Sequence, residues 1–126
     1  GQAGRPVAVH GDLDTVMAGL ACGEVSPVAW EILSGGANHY ATVGDRFALE
    51  AMRVFALPQD GDAAIVSGET GGNGLGLLLA AAGEPAVRQA LGLDANARVL
   101  LIGSEGDTDP VIYREVVGRS AEEVLA

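Results

Sequence analysis

The chain has 126 residues, 17 acidic against 7 basic side chains, a net charge of −10, two His, one Cys and no Lys. Without Lys, no side chain can form an imine with a carbonyl cofactor, clamp a phosphate as an ammonium group, or serve as the basic partner of a serine nucleophile. The seven Arg are scattered singly, which gives no basic stripe for a phosphate backbone and excludes a nucleic-acid partner. A single domain fits the length, with roughly 65% of the unfolded surface buried. Hydrophobic residues are 48% of the chain but aromatics only 4%, against 19 Gly, so the core is expected from Ala, Val, Leu and Ile with close backbone approach at glycines. That composition reads as α/β. The longest apolar run, Leu75 to Ala82, falls short of the 18 residues a membrane span requires, so no membrane partner is expected. Cys22 alone gives neither a disulfide framework nor a two-cysteine metal half-site and suits a reducing, cytoplasmic setting. The chain starts with Gly1 rather than Met, and its opening resembles the end of a loop, which points to a fragment or a processed product.

Val7–Val9 is a short apolar segment broken by Gly11. Asp12 or Asp14 then caps an expected helix through Val16, Met17, Ala18 and Leu20, ending at Gly23. Ser26-Pro27 opens a second helix through Trp30 and Leu33 that stops at Gly35-Gly36. Tyr40–Val43 is a modest strand signal closed by Gly44. From Asp45 the spacing turns helical: Phe47, Ala48, Ala51, Met52 and Phe55 share one side, and Pro58 marks the end. Ala64–Val66 reads as a short parallel strand buried on both faces, followed by a glycine-rich stretch and a helix over Leu75–Ala82. Pro85–Leu91 is a further short helix, and Val99–Ile102 is the clearest strand. After the turn Gly103–Asp107, Thr108 or Asp109 caps a helix opened by Pro110, and Ser120 with Glu123 has the spacing of a capping box. Three strands alternating with helices predict a small parallel sheet whose edges need cover, as in a piece of a larger α/β protein.

Two segments place a polar, glycine-rich turn between a predicted strand and a helix: Ser67–Gly74 and Gly103–Thr108. In an open parallel sheet this edge collects ligands, because side chains and free helix amides converge there. Neither segment is a phosphate loop ending in Gly-Lys-Ser or Gly-Lys-Thr, nor a full three-glycine dinucleotide fingerprint. Asp12, Asp14, Glu24, Asp107 and Asp109 are oxygen donors of the kind magnesium or calcium takes, but they fit no calcium loop and are explained by helix capping, so no metal is expected. His10 and His39 read as loop or packing residues, Cys22 as a small buried hydrophobe, and Trp30, Met17 and Met52 as core.

The runs Val9–Glu24, Ser67–Gly71 and Glu105–Pro110, with Tyr113-Arg114, resemble the diaminopropionate ammonia-lyases, fold type II pyridoxal phosphate enzymes related to the tryptophan synthase β chain. The likeness spans nearly the whole chain and corresponds to about the C-terminal third of such an enzyme. It lacks the lysine-bearing segment and the earlier phosphate cradle. The resemblance implies a three-layer, parallel-sheet α/β fragment, residues 1–126 being a C-terminal portion of the catalytic region. It implies α,β-elimination of 2,3-diaminopropionate to pyruvate and ammonia, in a cytoplasmic homodimer completed by the remainder of the same enzyme. It implies pyridoxal 5′-phosphate as cofactor in the full-length protein, with Ser104 facing the pyridine nitrogen, Ser67, Gly68, Glu69 and Thr70 near the ring, and Asp12, Asp14 and Thr15 on the side of the amino-acid substrate. The family pattern has two hydroxyl residues before the Glu, and here Gly103 occupies the first. Some members carry a disulfide near the pocket, which one Cys cannot form within this segment. With no Schiff-base lysine, the isolated chain is expected to be inactive. Two alternatives stand beside this reading: a noncatalytic α/β binding or interaction module, and a serine or threonine dehydratase-like eliminase of the same fold.

Overall fold

A computed structural model describes residues 3–126, so Gly1, on which the reading of the opening rests, lies outside the described residues. The chain divides into two compact units, Gly1–Thr42 and Val43–Ala126.

In the first unit the main element is α1, Pro27–Gly36, started as expected by Ser26, whose hydroxyl accepts from Ala29 N at 3.3 Å. Tyr40 Oη donates to Leu33 O at 2.9 Å and turns the following chain back onto the helix. Upstream, Val9 N donates to Gly23 O at 2.8 Å, and a Cβ on Gly23 would lie 2.6 Å from Val9 O, so this approach requires glycine. The helix expected over 16–23 shrinks to one 3-10 turn, Ala18–Leu20. Neither Asp12 nor Asp14 caps it; Thr15 Oγ1 accepts from Met17 N at 3.2 Å, and with Gly19 inside so short a segment, the cost of nucleating an α-helix is not recovered. Met17 is buried as expected, whereas Trp30 is only half-buried and Cys22 is exposed rather than packed. His10 and His39 are exposed and outside helices.

The second unit is built from α2 (Asp45–Ala56), α3 (Asn73–Ala82), α4 (Pro85–Ala90), α5 (Pro110–Val117) and α6 (Ala121–Leu125). Helix α2 buries Ala48, Ala51, Met52 and Ala56 on one stripe, close to the predicted side. Along α3 the small residues permit contact with α2: a Cβ on Gly76 would meet Phe47 O at 3.0 Å. The core joins Met52 and Ala56 of α2 to Tyr113 of α5 and Ala121 and Val124 of α6, with Leu49, Ala64, Val66, Val116 and Val117 packed around them. Two arginines tie these layers, Arg119 donating to Ala56 O at 2.8 Å and Arg53 to Val116 O at 3.0 Å. Asp109, rather than Thr108, caps α5, its Oδ1 accepting from Val111 N and Ile112 N at 3.0 Å each. The capping box of α6 forms as read, and Glu123 also pairs with Arg114 at 2.8 Å.

The parallel sheet expected from the sequence is not shown in this chain. No strand occurs among the described residues: Tyr40–Val43, Ala64–Val66 and Val99–Ile102 carry the right side chains but no ladder. A strand exists only through its partners, and the backbone of Val99–Ile102 makes no hydrogen bond among the described residues, while Ile65 N is taken by Phe55 O at 2.8 Å. Leu100 and Ile102 are 86% and 80% exposed, and Ile65 is 50% exposed, so these segments are not buried on both faces.

Candidate functional site

The two turns singled out in the sequence meet in the second unit. Gly68 N donates to Glu105 O at 3.3 Å, and Glu105 Oε2 accepts from Thr70 N at 3.0 Å and Gly71 N at 3.4 Å. The carboxylate is thus held by consecutive backbone amides rather than by a basic side chain. The contact is possible only because both facing positions are glycine. A Cβ on Gly68 would lie 2.3 Å from Gly106 O, and one on Gly71 would lie 2.6 Å from Glu105 O.

Beside this junction lies a cleft of about 670 Å³. Its lining combines polar residues, Ser67, Ser104 and Glu105, and the glycines Gly71, Gly103 and Gly106, with apolar ones, Phe55, Ile65, Val66, Val99 and Leu101. Ser104 is exposed, and Ser67, buried, donates its hydroxyl proton to Gly68 O at 3.3 Å. Two further side-chain oxygens of the first turn and its helix, Thr70 Oγ1 and Asn73 Oδ1, are buried without a hydrogen-bond partner among the described residues. Buried oxygens left open in this way are uncommon in native folds and mark places where a ligand or water completes the bonding.

Of the four cofactor-side candidates, Ser104 lines the cleft; Gly68, Glu69 and Thr70 lie in the adjoining turn but are not part of its lining. Gly68 is buried beneath the second turn, and Glu69 is only 6% exposed. Asp12, Asp14 and Thr15 belong to the first unit, where the two carboxylates are exposed. Ser67, placed near the ring with Gly68, Glu69 and Thr70 in the sequence reading, also lines the cleft, whereas Gly71 and Glu105 are members that sequence reasoning did not single out as site residues. Their signal was present in the two glycine-rich turns, but the side that each residue faces depends on the junction. Among the described residues no group of three or more His, Cys, Asp or Glu side chains is placed to hold a metal ion. Among the same residues no helix is long and apolar enough to cross a membrane.

The cleft fits one wall of a flat heteroaromatic cofactor such as pyridoxal phosphate. Apolar side chains suit the ring faces and hydroxyls suit its heteroatoms. The residue needed to hold that cofactor covalently is absent from the chain.

No family model matches the chain. It is 46% identical over 120 residues to diaminopropionate ammonia-lyase of Escherichia coli K12, covering 93% of this chain and 30% of the enzyme. The Salmonella typhimurium diaminopropionate ammonia-lyase is 43% identical over 124 residues, 94% of this chain and 31% of the enzyme. Among solved structures, the E. coli diaminopropionate ammonia-lyase in complex with an aminoacrylate–PLP azomethine reaction intermediate superposes with a TM-score of 0.77 at 46% identity, over 82% of this chain and 28% of that one. The same enzyme in complex with D-serine gives 0.74 at 44% identity, again over 82% and 28%. The chain thus spans about three-tenths of the length of the curated relatives it matches.

Proposed function

We propose that this chain is the C-terminal portion of the catalytic region of a pyridoxal phosphate-dependent diaminopropionate ammonia-lyase, and that it supplies one wall of the cofactor pocket. The observation that carries the reading is the glycine junction: two turns from separate parts of the chain are brought together at a cleft lined by Ser104 and Ser67 together with apolar side chains. The 46% identity with an enzyme solved in complex with a PLP intermediate supplies the chemistry this wall would serve.

Bound pyridoxal phosphate would act as the electron sink for loss of a proton from Cα and of the β-amino group of 2,3-diaminopropionate, leading to pyruvate and ammonia. Ser104 would face the ring nitrogen with a neutral hydroxyl. A hydroxyl, unlike a carboxylate, does not favour protonation of that nitrogen and so moderates the sink. Ser67 and the backbone of Gly71 would border the same end, with Val66, Val99 and Leu101 excluding water along the ring. Glu69 and Thr70 would support the turn from behind, and Asp12, Asp14 and Thr15 would stand on the substrate side. A parallel sheet through Ala64–Val66 and Val99–Ile102, completed by the remainder of the enzyme in a cytoplasmic homodimer, belongs to the same proposal; the exposed apolar residues of Val99–Ile102 support it. The noncatalytic-module and dehydratase-like alternatives have no comparable support.

The test is a chimera in which this chain replaces the matching segment of the E. coli enzyme. It should bind pyridoxal phosphate and release pyruvate from 2,3-diaminopropionate, with D-serine as the comparison substrate. A folded, cofactor-loaded chimera that releases no pyruvate overturns the proposal. The 126-residue chain alone, given both cofactor and substrate, should release none.

A further inference from the structure

Glu105 lines the cleft at the junction, and both its backbone carbonyl and its carboxylate are anchored to the opposite turn. Its backbone carbonyl accepts from Gly68 N at 3.3 Å, and its carboxylate Oε2 accepts from Thr70 N at 3.0 Å and Gly71 N at 3.4 Å. Ser104 is the preceding residue and lines the cleft with Ser67 and Gly71. The atoms that would border a ligand therefore come from two turns separated by more than thirty residues, and among the described residues the hydrogen bonds between those turns all run through Glu105. We propose that Glu105 is the positioning residue of this site: it clamps the turn Ser67–Gly71 to the turn Gly103–Asp107 and thereby sets where the Ser104 hydroxyl stands relative to Ser67 and Gly71.

Three features separate this from an ordinary loop contact. Both amide donors converge on one oxygen, so the side chain is held in one orientation. The opposing glycines leave no room for Cβ atoms, so the turns sit at backbone contact and a displacement of one is passed to the other. Arginine pairing is not involved: the carboxylate is engaged by main-chain donors, as a rigid strut requires. The clamp's effect on a cofactor rests on the function proposed above; the clamp itself is read from this chain alone.

The experiment uses the chimera described above, unsubstituted and with Glu105→Ala or Glu105→Gln, and the same substitutions in the 126-residue chain. Glu105→Ala frees both amides, and exchange at Thr70 and Gly71 should quicken by about tenfold or more, since hydrogen bonds to a charged group are the stronger kind. The visible circular dichroism of added pyridoxal 5′-phosphate should lose at least about half its amplitude, because the ring then sits in a less fixed wall. On diaminopropionate, kcat should fall about tenfold with KM within about twofold, the pattern of lost orientation rather than lost substrate contact. Glu105→Gln keeps a carbonyl oxygen for both amides and should restore all three readouts to within about threefold of the parent. The proposal is overturned if Glu105→Ala lowers thermal stability but leaves the cofactor dichroism and kcat unchanged, if amide exchange does not quicken, or if Glu105→Gln is as damaged as Glu105→Ala. An unsubstituted chimera that binds the cofactor but makes no pyruvate overturns the lyase reading, while exchange and dichroism still decide the clamp. One that takes up no cofactor overturns the lyase reading and the clamp's effect on a cofactor, while amide exchange in the 126-residue chain still decides the clamp itself.

Discussion

Gly68→Ala is the sharpest test of the junction, because the cost follows from geometry rather than propensity. Gly68 has no positive φ, so alanine is conformationally acceptable there; what it meets is Gly106 O at 2.3 Å and Glu105 Oε2 at 2.8 Å. Carbon–oxygen contacts in proteins settle near 3.3–3.6 Å, so the turns must part by about 1 Å. That movement stretches the 3.3 Å bond from Gly68 N beyond hydrogen-bonding range and weakens the two amide bonds to the Glu105 carboxylate. One neutral bond at about 1 kcal/mol, weakened charge-assisted bonds and overpacking strain of about 1–3 kcal/mol together cost about 3 kcal/mol. For a chain of this length that is a fall in Tm of about 10–15 °C, read by circular dichroism at 222 nm. Gly103→Ala is the control: its Cβ meets nothing within 4 Å and its φ is not positive, so Tm should hold or rise slightly. If Gly68→Ala unfolds within about 3 °C of the parent, an effect near 1 kcal/mol, the close approach of the turns is not a constraint on the fold and the reasoning fails.

Four further outcomes follow from the helices and the core. Asp109→Ala removes the acceptor for two amides at the start of α5 and should cost about 0.5–2 kcal/mol in urea unfolding, with Asp109→Asn near neutral. Tyr113 is buried with a hydroxyl that has no partner among the described residues, so Tyr113→Phe should leave stability unchanged or raise it by up to about 1 kcal/mol. Burial first, and then the nearby Asp107 charge, raises the Tyr113 pKa above its ordinary value of 10.0, with Arg119 opposing. Its contribution is complete below that value and lost as pH rises through the folded pKa, so the alkaline arm of a Tm-versus-pH curve should flatten in Tyr113→Phe. The Ser120 amide first, and then Arg114, holds the Glu123 carboxyl below the usual range; its support of α6 is present above pH 4.5 and is lost as pH falls through the lowered value, which amide chemical shifts over Ala121–Leu125 should follow in parent but not in Glu123→Gln.

Helix starts were the most legible part of the sequence, for a local reason. A cap needs only an acceptor and one or two amides within a few residues, and Ser26, Asp109 and Ser120 each satisfy that rule with atoms from their own segment. The stripe of α2 was legible because its neighbour is made of small residues, so Ala48 and Ala51 could pack without any large partner being known. The strands were not legible as strands. Val99–Ile102 has the composition of one, yet composition specifies which side chains can stand in a sheet and not whether another backbone lies about 4.8 Å away. The helix expected after Asp12 failed on the opposite ground, a local signal too short to overcome nucleation, with Thr15 taking over the amide that a capping carboxylate was expected to hold.

The site occupies an intermediate position, and the reason bears on how such turns work. Each glycine-rich turn could be found alone, because Gly68, Gly71 and Gly106 stand out in any reading of the chain. Their functional relation could not, since it lies in a contact between residues 34 and 35 positions apart, made by a Glu that in sequence looks like one more acidic group in a chain of net charge −10. Glycines at a close approach imply a partner backbone, but they do not name it. Here the partner is Glu105, and once that pairing is made, the apparent redundancy of glycines becomes a requirement at two positions, while Gly103, beside Ser104, remains free to vary. The chemistry offered to a ligand is therefore set less by how many polar residues the turns contain than by which ones remain uncommitted after the turns have locked together. Glu105 is spent on the lock, and Ser104, exposed at the cleft, is what is left there.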